Sequence, residues 1–151
     1  MHSAKLQNMW NDALLNNMQR IGKEGVFIVD FEGNIVRANK NALVAFGLDE
    51  KIYQGRSCFE LFRLSYDEDS TPLDKKELPF SVTLQYGKTI ENKLLGVAIE
   101  MKPLTWLSVS TQMMPISDLK YVIISFFDVT EIVTKSQKSV SYTHLTLPTK
   151  A

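Results

Sequence analysis

The spacing of apolar residues divides the chain into three stretches. In residues 4–21, Leu6, Met9, Trp10, Ala13, Leu14 and Ile21 recur at helical spacing, and polar Asn17 interrupts the stripe. Ser3 can cap this helix, and Gly22 and Gly25 can end it. An amphipathic helix is therefore predicted over residues 1–21, and its apolar side must cover a sheet or a second copy of the chain. The middle stretch mixes short extended and helical patterns. Val26-Phe27-Ile28-Val29 is an apolar run closing on Asp30, Phe31 to Asn34 form a turn with Gly33, and Ile35 to Ala38 resume an extended pattern, so a hairpin is expected. Asn39 is placed to cap a helix from Lys40 to Phe46 that Gly47 ends. A further turn of helix is expected from Asp49 to Tyr53, and another short helix from Ser57 to Arg63 carrying Phe59 and Phe62. Residues 67–72 read as a polar loop, and residues 75–86 as one helix with Pro79 near its start and Gly87 at its end.

The last stretch reads as three strands, over residues 94–101, 105–114 and 120–129, with Pro103 in the first turn and residues 115–119 as the second. Tyr121 to Phe127 is apolar at successive positions, so this strand is expected to be covered on both faces. The middle helices can cover one face and the N-terminal helix the other. From Glu131 onward a new helix begins. The sum is an α+β domain: a five-stranded antiparallel sheet with short helices on one face and an N-terminal amphipathic helix.

Composition narrows the function classes. A chain of 151 residues suits one domain with short flanks, here residues 22–133. Lys plus Arg and Asp plus Glu are 17 each, so the chain lacks the basic excess expected of a nucleic-acid binder or a protein held on anionic lipid. No apolar run approaches the ~20 residues of a membrane span, and no secretory leader opens the chain. Cys58 has no disulfide partner, so a reducing, cytoplasmic location is expected. Residues 140–149 continue no earlier pattern and resemble the translation of a sequencing adapter. Residues 140–151 are read as a non-native tail, residues 134–139 as the start of a linker helix, and the native C-terminal part as missing beyond Ser139. Without the tail, His2 at the terminus is the sole histidine.

Several short pieces, taken in order, resemble the PAS sensory family: Gly25 to Asp30 before a Gly turn, Ile35 to Asn39 entering a helix, Cys58-Phe59-Glu60-Leu61-Phe62, Trp106 to Ser110, Pro115-Ile116, and Asp128-Val129-Thr130-Glu131. The resemblance covers residues 22–133. It implies a sensory and dimerisation module of the bacterial type found ahead of histidine kinases and diguanylate cyclases. It also implies signal output through Asp128, Thr130 and Glu131, where side chains can bond the open N–H groups of an outgoing helix. A homodimer is expected through the N- and C-terminal helices, since Leu15 and Met18 lie off the main apolar stripe, with an output domain in the same chain.

Candidate ligands follow from the same residues. Haem of the usual kind needs a histidine, and none lies within the domain. Gly55-Arg56-Ser57-Cys58 resembles the opening of the flavin light-sensor motif, but Phe59 and Phe62 replace that motif's polar residues. Val97, Leu107 and Phe126 stand where its polar ring contacts would be, and apolar side chains leave a flavin's polar edge unpaired at about 1–3 kcal/mol per group. Cys58 is better read as a buried core residue. Strand parity turns Val97, Leu107, Val109, Ile124 and Phe126 toward Phe46, Phe59, Phe62 and Phe80 of the helices. The candidate pocket, which also takes in Cys58, is thus small, aromatic and apolar, filled by its own side chains or holding a mostly apolar molecule. Arg56 would anchor a carboxylate only by turning in. No phosphate loop, dinucleotide fingerprint or metal spacing is present, and Asp67-Glu68-Asp69 lacks the calcium-loop pattern. Asp30, Glu100 and Asp128 sit at strand ends or turns, so the buried acid of a small cone-shaped isomerase is not found. No catalytic, cofactor or metal residues are assigned. Two classes remain: a ligand-responsive sensor, or a ligand-free dimerisation or docking module.

Overall fold

A computed structural model describes residues 23–116 and 119–134. Its strands are β1 (Gly25–Val29), β2 (Ile35–Ala38), β3 (Ser65–Tyr66), β4 (Ile90–Val97), β5 (Thr105–Ile116) and β6 (Leu119–Asp128). Its helices are α1 (Lys40–Phe46), α2 (Cys58–Leu61) and α3 (Pro79–Tyr86), with a 3₁₀ turn at Lys75–Glu77. The strands form one sheet in the order β2-β1-β6-β5-β4-β3, with every pair antiparallel. The first and last long strands are thus neighbours at the middle of the sheet. β6 lies between β1 and β5 and cannot shift without disturbing two ladders.

Register sets the inner rows. Phe126 lies opposite Gly25 on one side and Val109 on the other, and Ile124 lies between Phe27 and Thr111. A Cβ on residue 25 would run into the Phe126 ring, so glycine there gives the ring its place on the sheet. On the opposite face Val26, Ile28, Trp106 and Met114 are also buried, while Ile123 and Phe127 are half-buried. The helix predicted over residues 1–21 falls outside the described residues, as do the linker beyond residue 134 and the adapter-like tail.

Asn39 joins α1 to the sheet. Its Oδ1 accepts from Ala42 N at 3.0 Å, capping α1, and from Val26 N at 2.9 Å on β1. Its Nδ2 donates to Glu24 O at 2.7 Å, and its backbone N–H to Val26 O at 3.0 Å. One buried amide therefore fixes both where α1 starts and how it leans on β1. A second polar weld lies under α3, where the buried Thr83 and Thr111 hydroxyls meet at 2.7 Å. Thr83 Oγ1 also donates to Lys88 O at 2.6 Å, and Thr111 Oγ1 reaches the Pro79 carbonyl at 3.2 Å, so the pair ties α3 to β5 at both hydroxyls.

The sheet has six strands rather than the five expected from sequence. The extra strand, β3, has two residues and pairs Ser65 with Val97 and Tyr66 with Gly96, too short for an alternating pattern to register. β4 begins at Ile90, earlier than expected. Its polar first half carries an irregularity between Ile90 and Lys93, with Asn92 at φ 51°, and this hid the alternation. The single helix expected over residues 75–86 is two pieces. Leu78 precedes Pro79 and is extended at ψ 142°, because the proline ring disfavours a helical predecessor. Residues 50–55 are turns rather than helix. Pro115 and Ile116 lie in the β5–β6 ladder rather than in a turn. β4 pairs no further along β5 than Thr111, so Pro115 sits where that strand has one partner and its missing N–H is tolerated.

Asn39→Ala is expected to cost roughly 2–4 kcal/mol in urea unfolding, because it removes a helix cap, strands the Val26 N–H and leaves the Glu24 carbonyl with the longer bond from Asn41 Nδ2 at 3.2 Å. Thr111→Val and Thr83→Val should each cost about 1 kcal/mol, and the double variant less than their sum, since neither hydroxyl is then left facing an apolar neighbour.

Candidate functional site

The space between the sheet and the helices is occupied by aromatic rings. Phe80 on α3 meets Phe62 at 5.7 Å between centroids, Phe62 meets Phe46 at the end of α1 at 5.1 Å, and Phe46 meets Phe126 on β6 at 5.4 Å and Phe27 on β1 at 5.5 Å. Several pairs are edge-to-face, the arrangement favoured by ring quadrupoles. A chain of contacts therefore runs from all three helices onto the central strand. Phe46, Cys58, Phe62, Phe80, Val97, Leu107, Val109, Ile124 and Phe126 all belong to one buried cluster. Phe59 packs against it but is half-buried. Its ring sits 4.8 Å from that of Phe80, and the Lys75 ammonium lies 4.3 Å from its centroid. Burial pushes the Cys58 thiol pKa up, so the residue stays protonated.

Sequence reasoning left out Phe27, Tyr53, Leu78 and Leu95 of the same cluster. Phe27 and Leu95 were within reach, since counting back two positions at a time from Val29 and Val97 places them inward. Tyr53 and Leu78 come from a turn and a pre-proline position, where no period applies.

At the end of β6 the chain is fastened to β5. Asp128 Oδ1 accepts from Thr130 N at 2.9 Å. Thr130 Oγ1 accepts from Trp106 N at 2.9 Å, and Val129 N donates to Trp106 O at 2.8 Å. Residues 130–134 then turn helically, with Val133 N on Val129 O and Thr134 Oγ1 on Thr130 O, and Glu131 is exposed on this turn. The expected output residues are thus together, and both backbone groups of Trp106 form their anchor. Trp106 was noticed in the sequence as a family landmark but not as this anchor. The strand register that brings it beside Val129 has no one-dimensional signature.

A cleft of about 500 Å³ opens beside the aromatic chain. Phe46, Leu61 and Ile99 contribute its apolar lining, Arg56, Glu60, Arg63 and Glu100 its charged one, and Gly47 and Leu48 also border it. Arg56 pairs with Glu60 at 3.2 Å in an exposed i, i+4 contact. The wall of residues 98–100 is tied down on both sides: Ala98 N donates to Leu64 O, and Lys102 Nζ reaches the Val44 and Ala45 carbonyls at the end of α1. Among the described residues no group of three or more acidic, Cys or His side chains is placed to hold a metal ion, and no helix is long and apolar enough to cross a membrane.

Solved structures with this fold include the PAS domain of nitrogen regulation protein NR(II) from Vibrio parahaemolyticus, at 20% identity and TM-score 0.58 over 77% of this chain and 94% of that one. The PAS domain of an HTR-like protein from Haloarcula marismortui matches at 13% identity and TM-score 0.54, over 85% and 99% of the two chains. An RNA-binding light-oxygen-voltage receptor matches at 16% identity and TM-score 0.64 over 88% of this chain, which spans 37% of that one. No curated protein matches the sequence. The PAS domain family model matches residues 23–131, from just before β1 to just past the Asp128–Thr130 junction, and the chain belongs to the PAS domain family.

Proposed function

We propose that this chain is the regulatory PAS module of a bacterial signalling protein, relaying the state of its aromatic interior to a segment that follows residue 134. The observation that carries this reading is the position of Phe126. Its ring touches Phe46 and Phe27, and its backbone lies two residues before Asp128, where β6 is fastened to Trp106 and the helical turn begins. A displaced Phe46 or Phe62 presses on a strand that has neighbours on both sides, and the open end of that strand is the fastened junction. Through that junction the module is proposed to act on an output domain, such as a histidine kinase or a diguanylate cyclase. It does so as a cytoplasmic homodimer held by its flanking helices, and the domain itself is assigned no catalysis.

The rings packed between helices and sheet favour an interior filled by its own side chains, with neither haem nor flavin. The same filling supports a second reading, a ligand-free module that only docks its neighbours. The two readings differ in whether the junction responds to the interior.

Amide exchange separates them. Thr130→Ala removes the oxygen that joins the turn to Trp106, and is expected to speed exchange at Val133 roughly tenfold while leaving Phe27 and Ile124 protected. Phe126→Leu keeps every junction hydrogen bond but leaves a gap beneath Phe46. The relay reading expects faster exchange at Val129 and Val133 in this variant too. Unchanged exchange there, with only global stability lowered, would favour the docking reading.

A further inference from the structure

We propose that the cleft beside Phe46 is a binding site for a small amphiphilic carboxylate, an aryl or short-alkyl acid. The aromatic interior expected to hold a ligand is occupied by rings, and open space lies instead on the outer side of Phe46. That space has the make-up of a small-molecule site: an apolar surface from Phe46, Leu61 and Ile99, with a few charged groups around it. Its volume of about 500 Å³ suits a small organic acid.

The charges select the head group. Among the described residues Arg63 enters no ion pair, and its guanidinium presents the planar donor fork that a carboxylate fits. Arg56 is held by Glu60 in an exposed i, i+4 contact of the weak surface kind, so a ligand carboxylate can compete for it. Glu60 is already paired with Arg56, so among the described residues Arg63 and Glu100 are the lining charges outside an ion pair, and Arg63 is the one that attracts an anion. An apolar body resting on Phe46 with its carboxylate at Arg63 satisfies both halves of the lining.

The consequence downstream rests on the relay reading. Among the described residues Phe46 is the one ring that both borders the cleft and touches Phe126, so an occupant bears on the chain of contacts leading to the junction. Without the relay the cleft still binds, but silently.

The test is an NMR titration of the full chain with phenylacetate, phenethyl alcohol and phenethylamine. Phenylacetate should give saturable shifts at Phe46, Ile99 and Arg63, while the alcohol and the amine bind about tenfold more weakly or less. Arg63→Gln, a surface change that leaves the fold intact, should weaken phenylacetate by about tenfold and leave the alcohol unaffected. No saturable shifts at the cleft residues, equal binding of the three compounds, or an Arg63→Gln variant that binds phenylacetate as well as the parent would each overturn the site. Shifts at the cleft with none at Val129 or Thr130 would uphold the site and refute the relay.

Discussion

The burial of the inner face of β6 constrains everything else in this domain. Val122, Ile124 and Phe126 are almost wholly removed from water, and the strand that carries them is hydrogen-bonded on both edges. Helices of four to eight residues cannot stand alone, so α1, α2 and α3 exist because their aromatic side chains have this face to cover. Asn39 and the Thr83–Thr111 pair add direction to that non-directional force, fixing where α1 and α3 settle. Gly25 clears the place that the largest of these strand residues requires.

In the proposed relay this arrangement serves as a mechanical axis. Rings pack densely and tolerate discrete rather than graded displacement, so movement of a helix is felt at the strand beneath it. β6 is restrained sideways by its ladders, and its end near Asp128 meets a junction built from a few exposed or part-buried hydrogen bonds. Such a junction belongs to the less stable part of a fold, where a small displacement changes a local equilibrium. The cleft outside Phe46 places the other end of the axis within reach of solvent. The hub of the core therefore borders an open cleft while staying buried.

Much of this was legible in the sequence, for definable reasons. Asn39 before an apolar helix and Gly47 after it are local signals, and the observed cap and left-handed terminus follow them. Alternation in β5 and β6 placed Leu107, Val109, Ile124 and Phe126 together, because a period of two survives wherever a strand is regular. It failed where the backbone departs from regularity. The irregular start of β4, the two-residue β3 and the extended Leu78 before Pro79 leave no pattern, or a misleading one. The cleft and the Trp106 anchor depend on segments far apart in the chain, such as residues 61–64 with 98–100 and Trp106 with Thr130. Their meeting is set by sheet register, which no local pattern of residue types encodes.

The central claim is that the interior and the junction are energetically coupled through Phe126. A double-mutant cycle between Phe46→Leu and Thr130→Val, read by urea unfolding, tests it most directly. The relay predicts a coupling of at least ~0.5 kcal/mol between two residues that do not touch, whereas independent sites add to within about 0.3 kcal/mol. Additive losses would contradict the account and leave the aromatic chain as packing alone.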